Sequence, residues 1–399
     1  MNTLDTELNQ RLDALREQQL YRQLRRVDSA QSPRIRIDGR ELLNFSSNDY
    51  LGLANDPVLI EAAADALRHF GAGSGASRLI CGSLAPHHEL EETLADFKGT
   101  EAALAFSSGY AAAMGTVTAL VGKDDIVVLD KLVHACVVDA SRLSGAKLRV
   151  FAHNDANELE EILRWADQRR GTASPRPQVL VVTESVFSMD GDQAPLQEIV
   201  RLKDQYGAWL MVDDAHATGL YGPRRRGLAE ALGLADRIEI QMGTLGKAFG
   251  ASGGYICGSR PLIDYLLNRA RSFVFSTAPL PCAAAAAAAG VRFVRSKDGQ
   301  SRCAALWDRV AELHVGLPTL PAQAPRGPIL PLMIGDEAHA MEAASRLREQ
   351  GIFIPAIRFP TVPRGTARLR LTLTASHTAG EVRTLLAALP DSPPHAQTR

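Results

Sequence analysis

Apolar residues in this chain fall into short continuous runs, separated by longer stretches in which they recur at helical spacing. Ile126–Asp130, Val179–Thr183 and Trp209–Val212 are such runs, and Ile238–Met242 is a fourth, interrupted by Glu239 and Gln241. Runs of this length, rich in Val, Ile and Leu, predict strands buried on both faces. Between them, segments such as Glu158–Arg169 carry the 3.6-residue pattern of a helix. From Asn44 to Ala288 the alternation predicts an α/β fold, a mainly parallel central sheet with helices on both faces. After Ala288 the pattern shifts to helices over Trp307–Leu313 and Ala338–Glu349 and strands over Ile329–Ile334 and Ala367–Leu373. That reads as a smaller α+β C-terminal domain. Ahead of the sheet, Leu4–Arg26 predicts an amphipathic helix and Ile35–Arg40 a short hairpin. The expected divisions are an N-terminal segment at 1–45, a large domain at 46–288, a small domain at 289–390 and a disordered tail at 391–399. The tail is marked by Ser392-Pro393-Pro394-His395.

The ends of the apolar runs carry the chemistry. Lys247 lies between glycines in Gly243-Thr244-Leu245-Gly246-Lys247-Ala248-Phe249-Gly250, directly after Ile238–Met242. With small neighbours and no carboxylate close in sequence, it is placed to be a desolvated amine able to form a Schiff base. A surface lysine in a Gly-rich turn is the plainer alternative. Trp209–Val212 runs into Asp213-Asp214-Ala215-His216, and Val179–Thr183 runs into Glu184-Ser185-Val186-Phe187-Ser188. Phe106-Ser107-Ser108-Gly109-Tyr110 opens an Ala-rich helix whose free N–H groups suit a phosphate. Singly, each of these is explained by turn or cap chemistry. In an open parallel sheet, however, ligands bind at the carboxyl ends of strands. An amine and a carboxylate from neighbouring strand ends suggest pyridoxal 5'-phosphate (PLP), which needs a lysine for its aldehyde and an acid for its pyridine nitrogen.

Together these motifs resemble the α-oxoamine synthase family of fold-type I PLP-dependent enzymes. The resemblance extends through Asn44–Leu53, Leu132-Val133-His134-Ala135, Phe275-Ser276-Thr277 and Ala356–Arg370, and so spans nearly the whole chain. It implies an acyltransferase in which Lys247 carries the cofactor and later serves as general base. Asp213 would face the pyridine nitrogen and His134 the ring. His216 and Ser188 would lie near the phenolic oxygen, with Glu184 ordering the hydrogen bonds around them. Ser108, Gly109, Tyr110 and Thr244 would serve the phosphate. On the substrate side it implies Arg358, for a carboxylate, with Arg22, Asn48 and Thr361 as further contacts. Within the family the pattern is most similar to the member that joins L-alanine to a pimeloyl thioester, on CoA or an acyl carrier protein, in biotin biosynthesis. Sister activities using glycine or serine with other acyl thioesters, and an inactive subunit of the same fold, are the alternatives. The resemblance also implies a homodimer in which Ser276 and Thr277, after an apolar strand, reach the partner subunit's phosphate site.

Composition narrows this reading. Forty-four Lys and Arg against 45 Asp and Glu give no electrostatic footprint for nucleic acid. Five cysteines without short paired spacing argue against a zinc site or a disulfide framework, so no metal is expected and a reducing cytoplasm is. The N-terminus lacks a secretory pattern, and the nearly all-alanine run Cys282–Gly290 is too short to span a membrane, predicting a packed interior helix instead. Gly71-Ala72-Gly73-Ser74-Gly75-Ala76 imitates a dinucleotide fingerprint but has no strand before it. A flexible loop approaching the active site is expected there, and a surface helix starting near His87-His88.

Overall fold

A computed structural model describes residues 3–171, 176–317 and 324–389. The tail expected at 391–399 lies outside them. Thirteen strands run through the described residues. They begin with β1 (Arg34–Ile37), β2 (Arg40–Asn44), β3 (Ala102–Phe106), β4 (Ile126–Asp130), β5 (Lys147–Phe151), β6 (Val179–Glu184) and β7 (Trp209–Asp213). β8 (Ile240–Thr244), β9 (Gly254–Gly258), β10 (Ile329–Gly335), β11 (Ile352–Phe353), β12 (Ala356–Ile357) and β13 (Ala367–Thr372) follow. The chain divides into two compact units. The larger holds Leu51–Ser188 and Asp192–Ala304, and the smaller Met1–Tyr50, Met189–Gly191 and Ala305–Arg399.

The larger unit is built on a seven-stranded sheet in the order β3-β9-β8-β7-β6-β4-β5. Strands β5, β4, β6, β7 and β8 are parallel neighbours, and β9 runs antiparallel to both β8 and β3. Val127, Leu129, Leu180, Val182, Met211, Ile240 and Ile256 pack with Ala112, Ala113 and Val117 of the Gly109–Leu120 helix. Val137 and Ala140 of the Ala135–Ser144 helix join the same core. Burying each large aliphatic here is worth about 1.5–3 kcal/mol, which is why these strands read as continuous apolar runs. The parallel strands end in Asp130, Glu184, Asp213 and Thr244 on one edge, and β9 begins there with Gly254 opposite Thr244 and Phe106.

The alanine tract forms the helix Pro281–Arg295, with Ala284, Ala287, Ala288, Ala289 and Gly290 buried as expected. A Cβ at Gly290 would lie 2.3 Å from the Phe249 carbonyl oxygen, so the small residues let this helix support the lysine loop directly. In the smaller unit, β1 and β2 form the expected hairpin about Asp38 and Gly39, both at positive φ. β2 also pairs in parallel with β11, which puts the N-terminal hairpin in one unit with the C-terminal residues. A separate antiparallel sheet has the order β10-β13-β12.

Three expectations need correction. The first helix spans Thr3–Glu17 rather than continuing to Arg26, because the chain turns at Gln19 with φ 59°. The apolar segment before Ser276 is a short helix, Arg271–Val274, not a strand; a run so brief does not distinguish the two. His87 is buried rather than on a helix surface. Its Nδ1 accepts from the Leu84 amide at 3.1 Å, and its Nε2 donates to the Pro279 carbonyl at 2.8 Å. The 71–76 loop is hydrogen-bonded to the segment that follows the Arg271–Val274 helix. Ser74 Oγ donates to Pro279 at 2.5 Å, and the Ala278 amide donates to Ala76 at 3.0 Å.

Candidate active site

The amine comes first. Lys247 lies three residues past β8, and its Nζ is 2.7 Å from Nε2 of the buried His216 in the turn after β7. Either group can donate in this contact: a protonated amine to a bare Nε2, or an Nε2–H to a neutral amine. Lys247 is half-buried, not fully desolvated, and it stands within electrostatic reach of Asp213 and Glu184. The carboxylates absent from its sequence neighbourhood arrive from the adjacent strands β7 and β6.

Asp213 closes β7, is 6% exposed and accepts from the Ala215 amide at 3.0 Å. Burial raises its pKa, while the Lys247 charge and that amide favour the ionised form. Glu184 closes β6 and is also buried; desolvation, with Asp213 beside it, pushes its carboxyl up to about 8. Its Oε2 accepts from the Ser188 amide at 3.1 Å, and it also receives the His134 amide. Its Oε1 is buried with no hydrogen-bond partner among the described residues. His134 caps the Ala135–Ser144 helix, its Nδ1 accepting from the Cys136 amide at 3.3 Å. Burial lowers its pKa, with Asp213 and Lys247 acting on it in opposite directions. With Nδ1 accepting, a neutral ring presents its N–H at Nε2, within electrostatic reach of Asp213 and Lys247.

The phosphate-type cradle is the turn from β3 into the Gly109–Leu120 helix. Ser108 caps it, accepting from the Ala111 amide at 3.0 Å, which leaves the Gly109 and Tyr110 amides at an open helix start. Gly254 of β9 backs this turn so closely that a Cβ there would meet Gly109 N at 2.5 Å. Thr244 donates to the Gly253 carbonyl at 3.0 Å and accepts from the Gly246 amide at 3.2 Å, bracing the lysine loop beside the cradle. The Tyr110 side chain is exposed, its hydroxyl donating to Asp139 at 2.7 Å. Ser276 donates to the Thr277 carbonyl, and Thr277 bridges to Ser77; Thr277 is exposed.

The expected substrate residues belong to the smaller unit. Arg358 is 8% exposed and donates from Nη2 to the Tyr21 carbonyl at 2.7 Å. Arg22, close enough to help burial lower the Arg358 pKa, donates to Thr361 Oγ1 at 3.2 Å. Asn48 Oδ1 accepts from Arg370 at 3.0 Å. Arg370 was missed from sequence, as was Lys98, whose ammonium is buried 2.9 Å from Asp214, next to Asp213. Nothing in the pattern of the Ala85–Lys98 helix sets that lysine apart from a solvated end residue.

These residues fit PLP: an amine for the aldehyde, a buried carboxylate for the ring nitrogen, an imidazole for the ring face and a helix start backed by glycine for the phosphate. The fold and this edge define a fold-type I PLP-dependent transferase. A model of the family described as aminotransferase class I and II matches residues 40–389. The chain is 50% identical to 8-amino-7-oxononanoate synthase of Anaeromyxobacter dehalogenans over 97% of this chain and 96% of that one. It is 47% identical to the enzyme of the same name from Geobacter sulfurreducens over 95% of each. Among solved structures, serine palmitoyltransferase from S. paucimobilis with a bound PLP–myriocin aldimine is 30% identical, with TM-score 0.88 over 97% of each chain. The 8-amino-7-oxononanoate synthase of Francisella tularensis is 25% identical, with TM-score 0.72 over 87% of this chain and 96% of that one. The chain belongs to the class I and II aminotransferase family and, within it, to the 8-amino-7-oxononanoate synthases, which are PLP-dependent acyltransferases.

Proposed function

We propose that the chain condenses L-alanine with a pimeloyl thioester, on CoA or an acyl carrier protein, releasing CO2 and thiol to give 8-amino-7-oxononanoate for biotin biosynthesis. The observation that carries this reading is the near-full-length similarity to relatives of that name in a chain that retains the Lys247, Asp213, His134 and His216 constellation. PLP, when bound, supplies an electron sink for the pair left at the substrate Cα. Asp213 favours a protonated ring nitrogen, and His134 covers the ring face. Lys247 takes the Cα proton as general base, oriented through its 2.7 Å contact with His216. Glu184 and Ser188 order the loop beside the ring, and Thr244 supports the phosphate turn. Arg358 meets the amino-acid carboxylate with its guanidinium fork; Arg22, Asn48 and Thr361 complete the substrate contacts.

The proposed enzyme is cytoplasmic, consistent with five cysteines that form no disulfide. No described helix is long and apolar enough to cross a membrane. It works as a homodimer, with Ser276 and Thr277 serving the partner subunit's phosphate site. Inactive Lys247→Ala and Thr277→Trp chains should therefore regain activity when mixed dimers form; well-folded mixed dimers that stay inactive would place Thr277 in its own site. The substrate reading is tested by supplying pimeloyl-CoA with alanine, glycine or serine and following CO2 and thiol. Alanine is expected to be strongly preferred. Faster turnover of glycine with a short acyl-CoA would move the chain to a sister activity, and a colourless protein that binds no PLP would make it an inactive subunit.

A further inference from the structure

His153, just beyond β5, belongs to none of the roles above, yet it joins two of the loops that carry them. Its Nδ1 is 2.9 Å from Asp130 Oδ1 and its Nε2 is 2.7 Å from Asp192 Oδ2. Both ring nitrogens face carboxylate oxygens, so both must donate and the ring is an imidazolium. Burial opposes that charge, but the hydrogen bonds of the two carboxylates outweigh it and hold the pKa at about 10. The ring edge meets Phe187 at right angles, with centroids 4.3 Å apart. Asn154, at φ 59°, strengthens the junction: its amide donates to Asp130 Oδ2 at 2.8 Å and its side chain to Asp192 Oδ2 at 2.9 Å.

Both anchors lead to cofactor-side residues. Asp130 Oδ1 also receives the Leu132 amide at 2.8 Å, shaping the turn that ends at His134. The Asp192 carbonyl receives the Phe187 amide at 2.9 Å, immediately before Ser188. Glu184 ties the same two loops from inside, through the His134 and Ser188 amides. We infer that His153 is a positioning residue for the PLP site, a fixed cation that clamps the turn carrying His134 to the turn carrying Ser188. The inference rests on the PLP site but not on the identity of the amino acid or thioester.

The test uses the full chain with His153→Gln or Asp192→Asn, measured by peptide-resolved hydrogen exchange and by PLP titration of the apo chain. Neither readout needs a substrate, so a wrong substrate assignment would leave the result unaffected. Amide exchange over 131–136 and 185–188 is expected to accelerate about tenfold, while the Pro281–Arg295 helix keeps its protection. PLP affinity is expected to fall about tenfold, as loss of a charge-assisted contact implies. Asp192→Asn leaves His153 paired with Asp130 and carries the test if His153→Gln does not fold. Wild-type exchange in both loops with wild-type PLP affinity overturns the inference. So does acceleration spread evenly over the larger unit, or failure of both variants to fold, since either makes the network structural alone.

Discussion

Gly254→Ala probes how tightly the phosphate turn is built. A Cβ at Gly254 would lie 2.5 Å from Gly109 N and 2.6 Å from both Gly109 Cα and Ser108 C. All three are backbone atoms, so no side chain can rotate away. Ordinary carbon contacts are about 3.5–4.0 Å, so the two segments must part by about 1 Å. β9 is held by β8 on one side and β3 on the other, so the displacement falls on the start of the Gly109–Leu120 helix. Overpacking of this kind costs about 1–3 kcal/mol, which lowers the melting temperature of the apo chain by roughly 5 °C for a unit of this size. Moving the helix-start amides that far loses a charge-assisted hydrogen bond to phosphate, about 1.5–3 kcal/mol, and raises the PLP Kd roughly 10–100-fold. Titrating apo chain with PLP by tryptophan fluorescence, beside a thermal melt, measures both. Gly122→Ala is the control, because a Cβ there meets nothing within 4 Å. A Gly254→Ala chain with wild-type PLP affinity would refute the reasoning, whatever its melting temperature.

Asp213→Asn should fold normally and lose about 10²–10³ in turnover, the usual cost of removing one electrostatic stabiliser; wild-type turnover would remove Asp213 from the ring nitrogen. Lys98→Met should destabilise the chain by about 3–5 kcal/mol in urea unfolding, because it strands the Asp214 carboxylate in the interior. A loss of under about 1 kcal/mol would show that the pair contributes no more than an exposed one. Glu184→Gln should change how apo stability depends on pH. The folded carboxyl, held at about 8, keeps a proton that the unfolded chain releases near pH 4. Its contribution is thus complete below that lower value and is lost as pH rises towards 8. Urea midpoints should favour the Gln chain increasingly from pH 5 to pH 8, and a constant gap would contradict this.

Much of the candidate site is legible because its residues close or follow mainly apolar runs. Asp213 and Glu184 close β7 and β6, and Ser108 and Lys247 follow β3 and β8, so reading each run to its end locates the polar group. The hydrogen-bond partners across the fold were not legible. The contact of Lys247 with His216 depends on β7 and β8 being neighbours, which is a property of strand order rather than of either motif. The burial of His87 is invisible in its local sequence, because its partner, Pro279, is 192 residues away. Gly254 carries no local signal, since its constraint is another segment's backbone. An amphipathic pattern does not register the left-handed turn at Gln19, so it overstates the length of the first helix.

Borohydride reduction of the PLP-loaded chain, followed by digestion and mass spectrometry, tests the central assignment most directly. The wild-type chain should carry the reduced cofactor on the peptide containing Lys247 and on no other lysine. Lys247→Ala should still bind PLP through the phosphate turn and Asp213, yet release all of it on denaturation after reduction. Cofactor fixed to a different lysine, or still fixed to the Lys247→Ala chain, would contradict the account of this site.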